Sequence, residues 1–287
     1  MKKTLEEEEL ELPDEITKST GTSPRDLVII SIPKMGKGTI LGQFTHDHNA
    51  IVLDLEKGGY EYISARKMSV YTDDSTDKYE AFTNYIKFRN LLLSNRGKYE
   101  YLIIDGLTDL DDLSDLGGTF AYMDSVTGSS WNRVKDATGK PVKGGKKLMY
   151  GDPEWRSVIT MGDGYGYKHT RDWFMQQIEI FKQISPYRIY AAHVVDKYIK
   201  DNGKEEVVGS EISITGRLKT IFAAKVTSLG KMVADGNSRY INFDVLNDSI
   251  IAGSRAKYLK GKILISEMDK DGKLTTYWDN IYKSTNN

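Results

Sequence analysis

Short runs of consecutive apolar residues alternate along this chain with longer stretches in which apolar residues recur every three or four positions. Leu27–Ile30, Ala50–Asp54 (Ala-Ile-Val-Leu-Asp), Tyr99–Asp105 and Tyr187–Ala192 are compact apolar runs, the pattern of buried strands. Between them, residues 77 to 95 place Tyr79, Phe82, Tyr85, Ile86, Phe88 and Leu92 on one broad face, which predicts an amphipathic helix. Residues 168 to 184 repeat the pattern with Trp173, Ile178 and Phe181, and 213 to 223 read as a further helix. Short strand-like runs follow at 224–232, 238–245 and 263–267. Strands alternating with helices predict an α/β fold, a mainly parallel sheet joined by right-handed crossovers with helices on both faces. The closing strands are expected to be antiparallel. Two stretches, about 125–165 and about 194–212, are too long for ordinary connections and are expected to be functional or disordered loops.

Composition narrows the setting. A chain of 287 residues with a net charge of −1 suits one domain with additions or two small ones, and leaves any preference for a polyanion to local charge. Cysteine is absent, which excludes disulfides and thiolate metal sites and fits a reducing compartment. No apolar run approaches the roughly 18 residues of a membrane span, and the first residues lack the apolar centre of a secretory signal. The expectation is a soluble intracellular protein without a membrane partner. Residues 1–24 carry Glu6 to Glu9, Glu11, Asp14 and Glu15, which predicts a solvated acidic tail. Residues 25–287 form the expected domain, with an insertion at about 125–165.

The candidate chemistry begins where the first strand ends. Ser31, Ile32, Pro33, Lys34, Met35, Gly36, Lys37, Gly38 and Thr39, followed by Ile40, read as a tight turn opening a helix. Such a corner presents amide N–H groups to an anion. The order nearly meets the phosphate-loop pattern G-x-x-x-x-G-K-[ST]. Ser31 stands in place of the first glycine, and Gly38 occupies the position of the Mg²⁺-binding hydroxyl. Lys37 would neutralise the β- and γ-phosphates of ATP, Gly36 would allow close backbone approach, and Lys34 adds charge. Thr39, or else Ser31, would have to supply the hydroxyl for Mg²⁺. Asp105 ends an apolar strand, where it would either hold Mg²⁺ or cap the next helix. Asp54 and Glu56 follow the second strand at the edge where ligands bind parallel sheets; Glu56 would polarise an attacking water, or belong to a solvated turn. His193, at the end of the fourth run, would sense the γ-phosphate or serve structure.

Two basic stretches remain. Between Trp131 and Tyr150, Arg133, Lys135, Lys140, Lys143, Lys146 and Lys147 face one acidic residue, Asp136. Positive charge between aromatic residues suits single-stranded nucleic acid; a solvated insertion is the alternative. Residues 253–262 gather Arg255, Lys257, Lys260 and Lys262 among glycine and small residues, either a cation for a neighbouring subunit's nucleotide or a surface charge run.

In their order and spacing, 31–39, Val-Leu-Asp-Leu-Glu at 52–56, Leu-Ile-Ile-Asp-Gly-Leu-Thr at 102–108, Tyr-Ala-Ala-His at 190–193 and Gly-Ser-Arg at 253–255 resemble the RecA-like P-loop ATPase core. More narrowly, they resemble the phage-encoded ATPases of the Sak-type single-strand annealing group. The resemblance implies a RecA-like fold binding ATP and Mg²⁺, with Lys37 on the phosphates, Glu56 as catalytic glutamate and Asp105 on the metal side. It also implies His193 as the sensor coupled to a DNA-binding loop, and Arg255 and Lys257 as trans-acting cations. The implied activity is ATP-dependent binding of single-stranded DNA in phage recombination or replication. The protein would act as a homo-oligomeric ring or filament in the bacterial host cytoplasm, with a single-strand binding protein as a further candidate partner. A non-hydrolysing nucleotide-binding protein, favoured by Gly38, and a small-molecule kinase are the competing expectations.

Overall fold

Residues of opposite parity along the central strands face opposite ways, and both faces are buried. The computed structural model describes residues 23–142, 144–201, 204–244 and 252–283; most of the expected acidic tail, and Lys143, lie outside them. The first five strands are β1 (Asp26–Ser31), β2 (Ala50–Asp54), β3 (Lys67–Ser69), β4 (Tyr101–Asp105) and β5 (Tyr187–Asp201). All pair in parallel, in the order β3-β2-β4-β5-β1. Val28, Ile30, Ile51, Leu53, Leu102, Ile104 and Tyr190 fill one core. Leu27, Ile29, Val52, Tyr101, Ile103 and Ile189 fill the other. Strands buried on both faces read as continuous apolar runs, which is why the sequence shows them so clearly.

The remaining strands are β6 (Lys204–Ile212), β7 (Ser228–Asp235), β8 (Ser238–Asn242), β9 (Gly253–Ser254), β10 (Lys262–Met268) and β11 (Leu274–Thr276). β7 lies parallel to β1, and β8, β10 and β11 extend the sheet antiparallel beyond it. The fold is thus the expected mixed sheet, mainly parallel with antiparallel strands toward the C-terminus.

Helix α1 (Lys37–Asp47) covers one face together with a short turn at Trp278–Asn280. Phe44 of α1 meets Trp278 edge-on at 4.7 Å between ring centres. The other face carries α2 (Lys78–Ser94), α3 (Leu107–Asp124), α4 (Gly166–Ile184) and α5 (Leu218–Lys225). α2 starts where the Asp77 carboxylate accepts the Glu80 amide at 2.8 Å, an N-cap that satisfies a free helix donor. In α3, Leu107, Leu110, Leu113 and Leu116 recur every third residue and are buried. Among the described residues, no helix is long and apolar enough to cross a membrane.

Three expectations need correction. The 194–212 stretch is not a loop. β5 runs on past His193 to Asp201 and pairs antiparallel with β6 from Val194↔Ile212 to Asp201↔Lys204, forming a ribbon that projects beyond the sheet edge. The helix expected at 213–223 begins only at Leu218. The Thr215 amide and hydroxyl donate to Asp111 Oδ2 at 2.6 and 2.7 Å, which holds this stretch outside the helix, and β7 accordingly starts at Ser228. Third, the 125–165 insertion is partly ordered. Arg133 and Lys135 pair with Lys147 and Pro141 in a short ladder, and the Val158 amide donates to Thr119 Oγ1 on α3 at 3.0 Å.

α3 and α4 approach closely where Gly117 and Gly118 carry no side chain. A Cβ at Gly118 would lie 2.8 Å from the Thr170 amide nitrogen and 2.9 Å from the His169 carbonyl carbon. These are backbone atoms that cannot rotate away. Gly118→Ala is therefore expected to destabilise the fold by about 1–2 kcal/mol, the overpacking outweighing the helix propensity of alanine. Urea unfolding checks this; an unchanged midpoint would mean the two helices can separate freely.

Candidate functional site

Where β1 ends, the backbone must reverse tightly to feed α1, and it uses two left-handed residues. Lys34 has φ 64° and Gly36 φ 88°. α1 then begins at Lys37, and the Ile40 amide donates to Gly36 O at 3.1 Å. The amides of Lys37, Gly38 and Thr39 precede that bond, so they have no partner within the helix. They add to the positive end of the helix dipole, the arrangement that binds phosphate. They border a cavity of about 280 Å³ lined in part by Ser31, Lys34, Lys37, Glu56, Asp105 and His193.

Sheet register brings the charged groups to this cavity. Asp54 and Asp105 end β2 and β4 side by side, and His193 lies opposite Ser31. The buried Lys37 ammonium sits 2.8 Å from Glu56 Oε1 and 3.2 Å from Asp105 Oδ1. His193 Nε2 is 3.2 Å from the same Glu56 oxygen. Behind them, the Tyr60 hydroxyl donates to Asp105 Oδ2 at 2.9 Å. The Ser69 hydroxyl donates to Asp54 Oδ2 at 2.7 Å.

These neighbours set the protonation states. Burial works against the Lys37 ammonium, but Asp105 and Glu56 outweigh it and raise its pKa. Burial likewise works against the Glu56 carboxylate, yet the His193 hydrogen bond and Lys37 bring it down to about 2. Asp105 is raised by burial, which Lys37 offsets only in part. Burial pushes Asp54 up to about 6, and burial together with Glu56 pushes Asp109 up to about 7.

The other candidate residues fall into three groups. Within the loop, Ser31 is buried while Pro33 and Lys34 are exposed, and Met35 O accepts from Arg239 Nε at 3.1 Å. Ile40 packs into the core beneath the loop. Position 38 is the one that faces Asp105: a Cβ on Gly38 would lie 3.8 Å from Asp105 Oδ2. Thr39, one position on, also borders a second small cavity beside Arg239. Arg255 lies elsewhere. β9 joins β7 at Ser228 and Leu229, level with the start of β1, so Arg255 stands at the sheet edge opposite the loop, and its Nη2 donates to Ala224 O at 2.7 Å.

The basic insertion is the third group. Arg133 donates to Ser129 O and Gly145 O, and Lys147 pairs with Asp124 at 2.9 Å, while Lys135 and Lys146 are exposed. Trp131 lies under the Arg156 guanidinium at 4.5 Å, and Tyr150 stacks on Tyr79 near the start of α2. Since α2 leads into the start of β4, its own start lies toward the sheet edge that carries the phosphate loop. Sequence reasoning passed over Tyr60 and Arg239, because a tyrosine in a glycine-rich turn and an arginine in a distant strand carry no local signal of what they will touch.

Residues 23–256 match the family model described as an AAA domain, and the chain belongs to that family. The fold is that of an AAA-type P-loop NTPase, a class whose common property is nucleotide binding, usually with Mg²⁺. No curated protein matches the sequence.

The residues present fit such a cation. Asp105 offers a hard carboxylate oxygen on the cavity, and the absent side chain of Gly38 leaves space beside it. Among the described residues no cluster of three or more acidic or histidine side chains would hold a metal alone. Mg²⁺ suits that arrangement, because it keeps waters and takes phosphate oxygens alongside one or two carboxylates.

Asp54 gives this site a measurable pH signature. Its folded pKa of about 6 exceeds the ordinary carboxylate value, so the folded state binds more protons between the two values and stability falls as pH rises through that window. Asp54→Asn removes the effect. The variant is expected to gain on the wild type by about 1–3 kcal/mol as pH rises from about 4 to about 6. Denaturant unfolding at both ends of that range measures it, and a constant difference would assign Asp54 an ordinary pKa.

Proposed function

We propose that this chain binds ATP with Mg²⁺ at the loop over α1 and hydrolyses it in support of binding single-stranded DNA. The observation that carries the reading is the buried Lys37 ammonium shared by Glu56 and Asp105, with His193 on the same Glu56 oxygen. The cavity, the free amides of α1 and Lys37 together suit the polyphosphate of a nucleotide. A γ-phosphate would draw Lys37 away from Glu56. Freed of that ammonium, Glu56 becomes more basic than its paired value of about 2 and can accept a proton from water. The water oxygen bonds to the γ-phosphorus, the bond to the β–γ bridging oxygen breaks, and ADP and phosphate leave. Mg²⁺ would neutralise charge on the phosphate oxygens, with Asp105 holding it directly or through water.

His193 ties this event to the ribbon. It loses or keeps its Glu56 contact according to where Glu56 points, and its strand continues directly into the β5–β6 hairpin. Exposed Lys135 and Lys146 would add phosphate contacts. Action in a homo-oligomer, with Arg255 reaching a neighbour's nucleotide, belongs to the same reading. Gly38 favours a second one, in which nucleotide is bound and not turned over.

ATP turnover with Mg²⁺, with and without single-stranded DNA, separates the two. DNA-stimulated turnover is expected, falling about 10²-fold or more in Glu56→Gln, and Lys37→Ala is expected to lose nucleotide affinity. Bound nucleotide without turnover selects the second reading. Neutralising Lys135 and Lys146 is expected to weaken DNA binding and flatten its salt slope by about 0.7 for each lost phosphate contact. An unaltered slope returns the insertion to a solvated role.

A further inference from the structure

The loop lacks a hydroxyl where its pattern calls for one, and the space around Gly38 shows what stands in that region instead. A Cβ at position 38 would meet Asp105 Oδ2 at 3.8 Å, Gly59 O at 3.8 Å and Ile63 Cδ1 at 3.2 Å. A serine or threonine hydroxyl there would neighbour Asp105 Oδ2. That same oxygen accepts the hydrogen bond of the Tyr60 hydroxyl, at 2.9 Å. Tyr60 is 2% exposed and Asp105 1% exposed, so no bulk water competes for either group. The Tyr60 backbone is held in turn, its carbonyl accepting from Lys67 Nζ at 2.6 Å. The other carboxylate oxygen, Oδ1, faces the Lys37 ammonium at 3.2 Å.

We propose that Tyr60 is a positioning residue that orients the Asp105 carboxylate in the absence of a hydroxyl at position 38. The inference rests on the nucleotide-and-Mg²⁺ reading above. Tyr60 reaches Asp105 from the segment that follows Glu56, so the turn carrying the water-polarising carboxylate also carries the group that fixes the metal-side one. A buried carboxylate with one oxygen pinned can present the other in a single orientation. Without the phenol proton, Asp105 would be held by Lys37 alone, and Oδ2 would be left buried and unsatisfied.

The test is a titration of a fluorescent ATP analogue in EDTA and in Mg²⁺, with thermal unfolding as a check on the fold. Wild-type chain is expected to bind more tightly in Mg²⁺. In Tyr60→Phe the affinity in EDTA is expected to stay within about twofold, while the gain from Mg²⁺ shrinks about tenfold, the loss of one hydrogen bond to a charged group. Adding Gly38→Ser to Tyr60→Phe is expected to recover much of that gain, which a merely structural tyrosine would not allow. An undiminished Mg²⁺ gain in folded Tyr60→Phe overturns the proposal, as does a reduced gain that Gly38→Ser leaves unrecovered. Should Tyr60→Phe not fold, Gly38→Ser alone is the second reading, expected to raise the gain about threefold; no rise overturns the proposal. A wild-type chain that binds no analogue in either condition overturns the nucleotide reading itself, an outcome distinct from failure at Tyr60.

Discussion

A lysine ammonium buried at the start of a helix is tolerable only when opposite charge is brought to it, since an unpaired charge in a protein interior costs several kcal/mol. Lys37 is such a group, and the sheet answers it with Glu56 and Asp105. The two carboxylates come from separate strand ends, and the ammonium opposes the cost of burial at both. Each partner therefore fixes the others. The turn after β2, the end of β4 and the first turn of α1 are tied to one another by charge in addition to the apolar cores beneath them, and His193 joins the same group through Glu56. A triad held in this way is also poised. In the proposed function, an anion that drew Lys37 away would release both carboxylates in one move and so link occupancy of the cavity to the strand edge.

Strand order decides who can take part. β5 lies between β1 and β4, so the end of the loop strand and the end of the acid strand are not neighbours. The gap between them is the width of one further strand, and His193 rises from that strand into it. Lys37 still reaches Asp105 across that gap, and the strand between them carries a polar group out of the site; had β1 and β4 been adjacent there would have been no such strand. The parallel register puts all these strand ends on one edge, which is where ligands gather in sheets of this kind.

Much of this was legible in the residues. Ala50–Asp54 emerged as a strand with its observed ends, because a strand buried on both faces is written as an unbroken apolar run. The loop, Glu56 and Asp105 were legible for the same reason: each follows such a run at once, so its place at the strand edge is fixed by chain connectivity. α3 was missed although its leucines recur every third residue, since four aspartates among them and two glycines directly after them dilute the pattern. The β5–β6 ribbon was missed because its strands are polar. The Asn202-Gly203 pair between them is a hairpin signal that the length of the stretch obscured. Tyr60 and Arg239 were beyond reach altogether. Their roles come from side chains meeting across 45 and 204 residues of sequence, and no local pattern encodes a meeting at that distance.

The helix that bears the phosphate loop has little cover of its own. Phe44 and its neighbours lie on the face closed by Trp278, Ile281 and Tyr282, the last described turn of the chain. During synthesis, β1 and α1 leave the ribosome more than two hundred residues before the segment that seals them. Until then the loop helix has an uncovered apolar side and an incomplete foundation. The anion cradle, made early, thus stands on a helix that gains its full cover only from a segment made more than two hundred residues later.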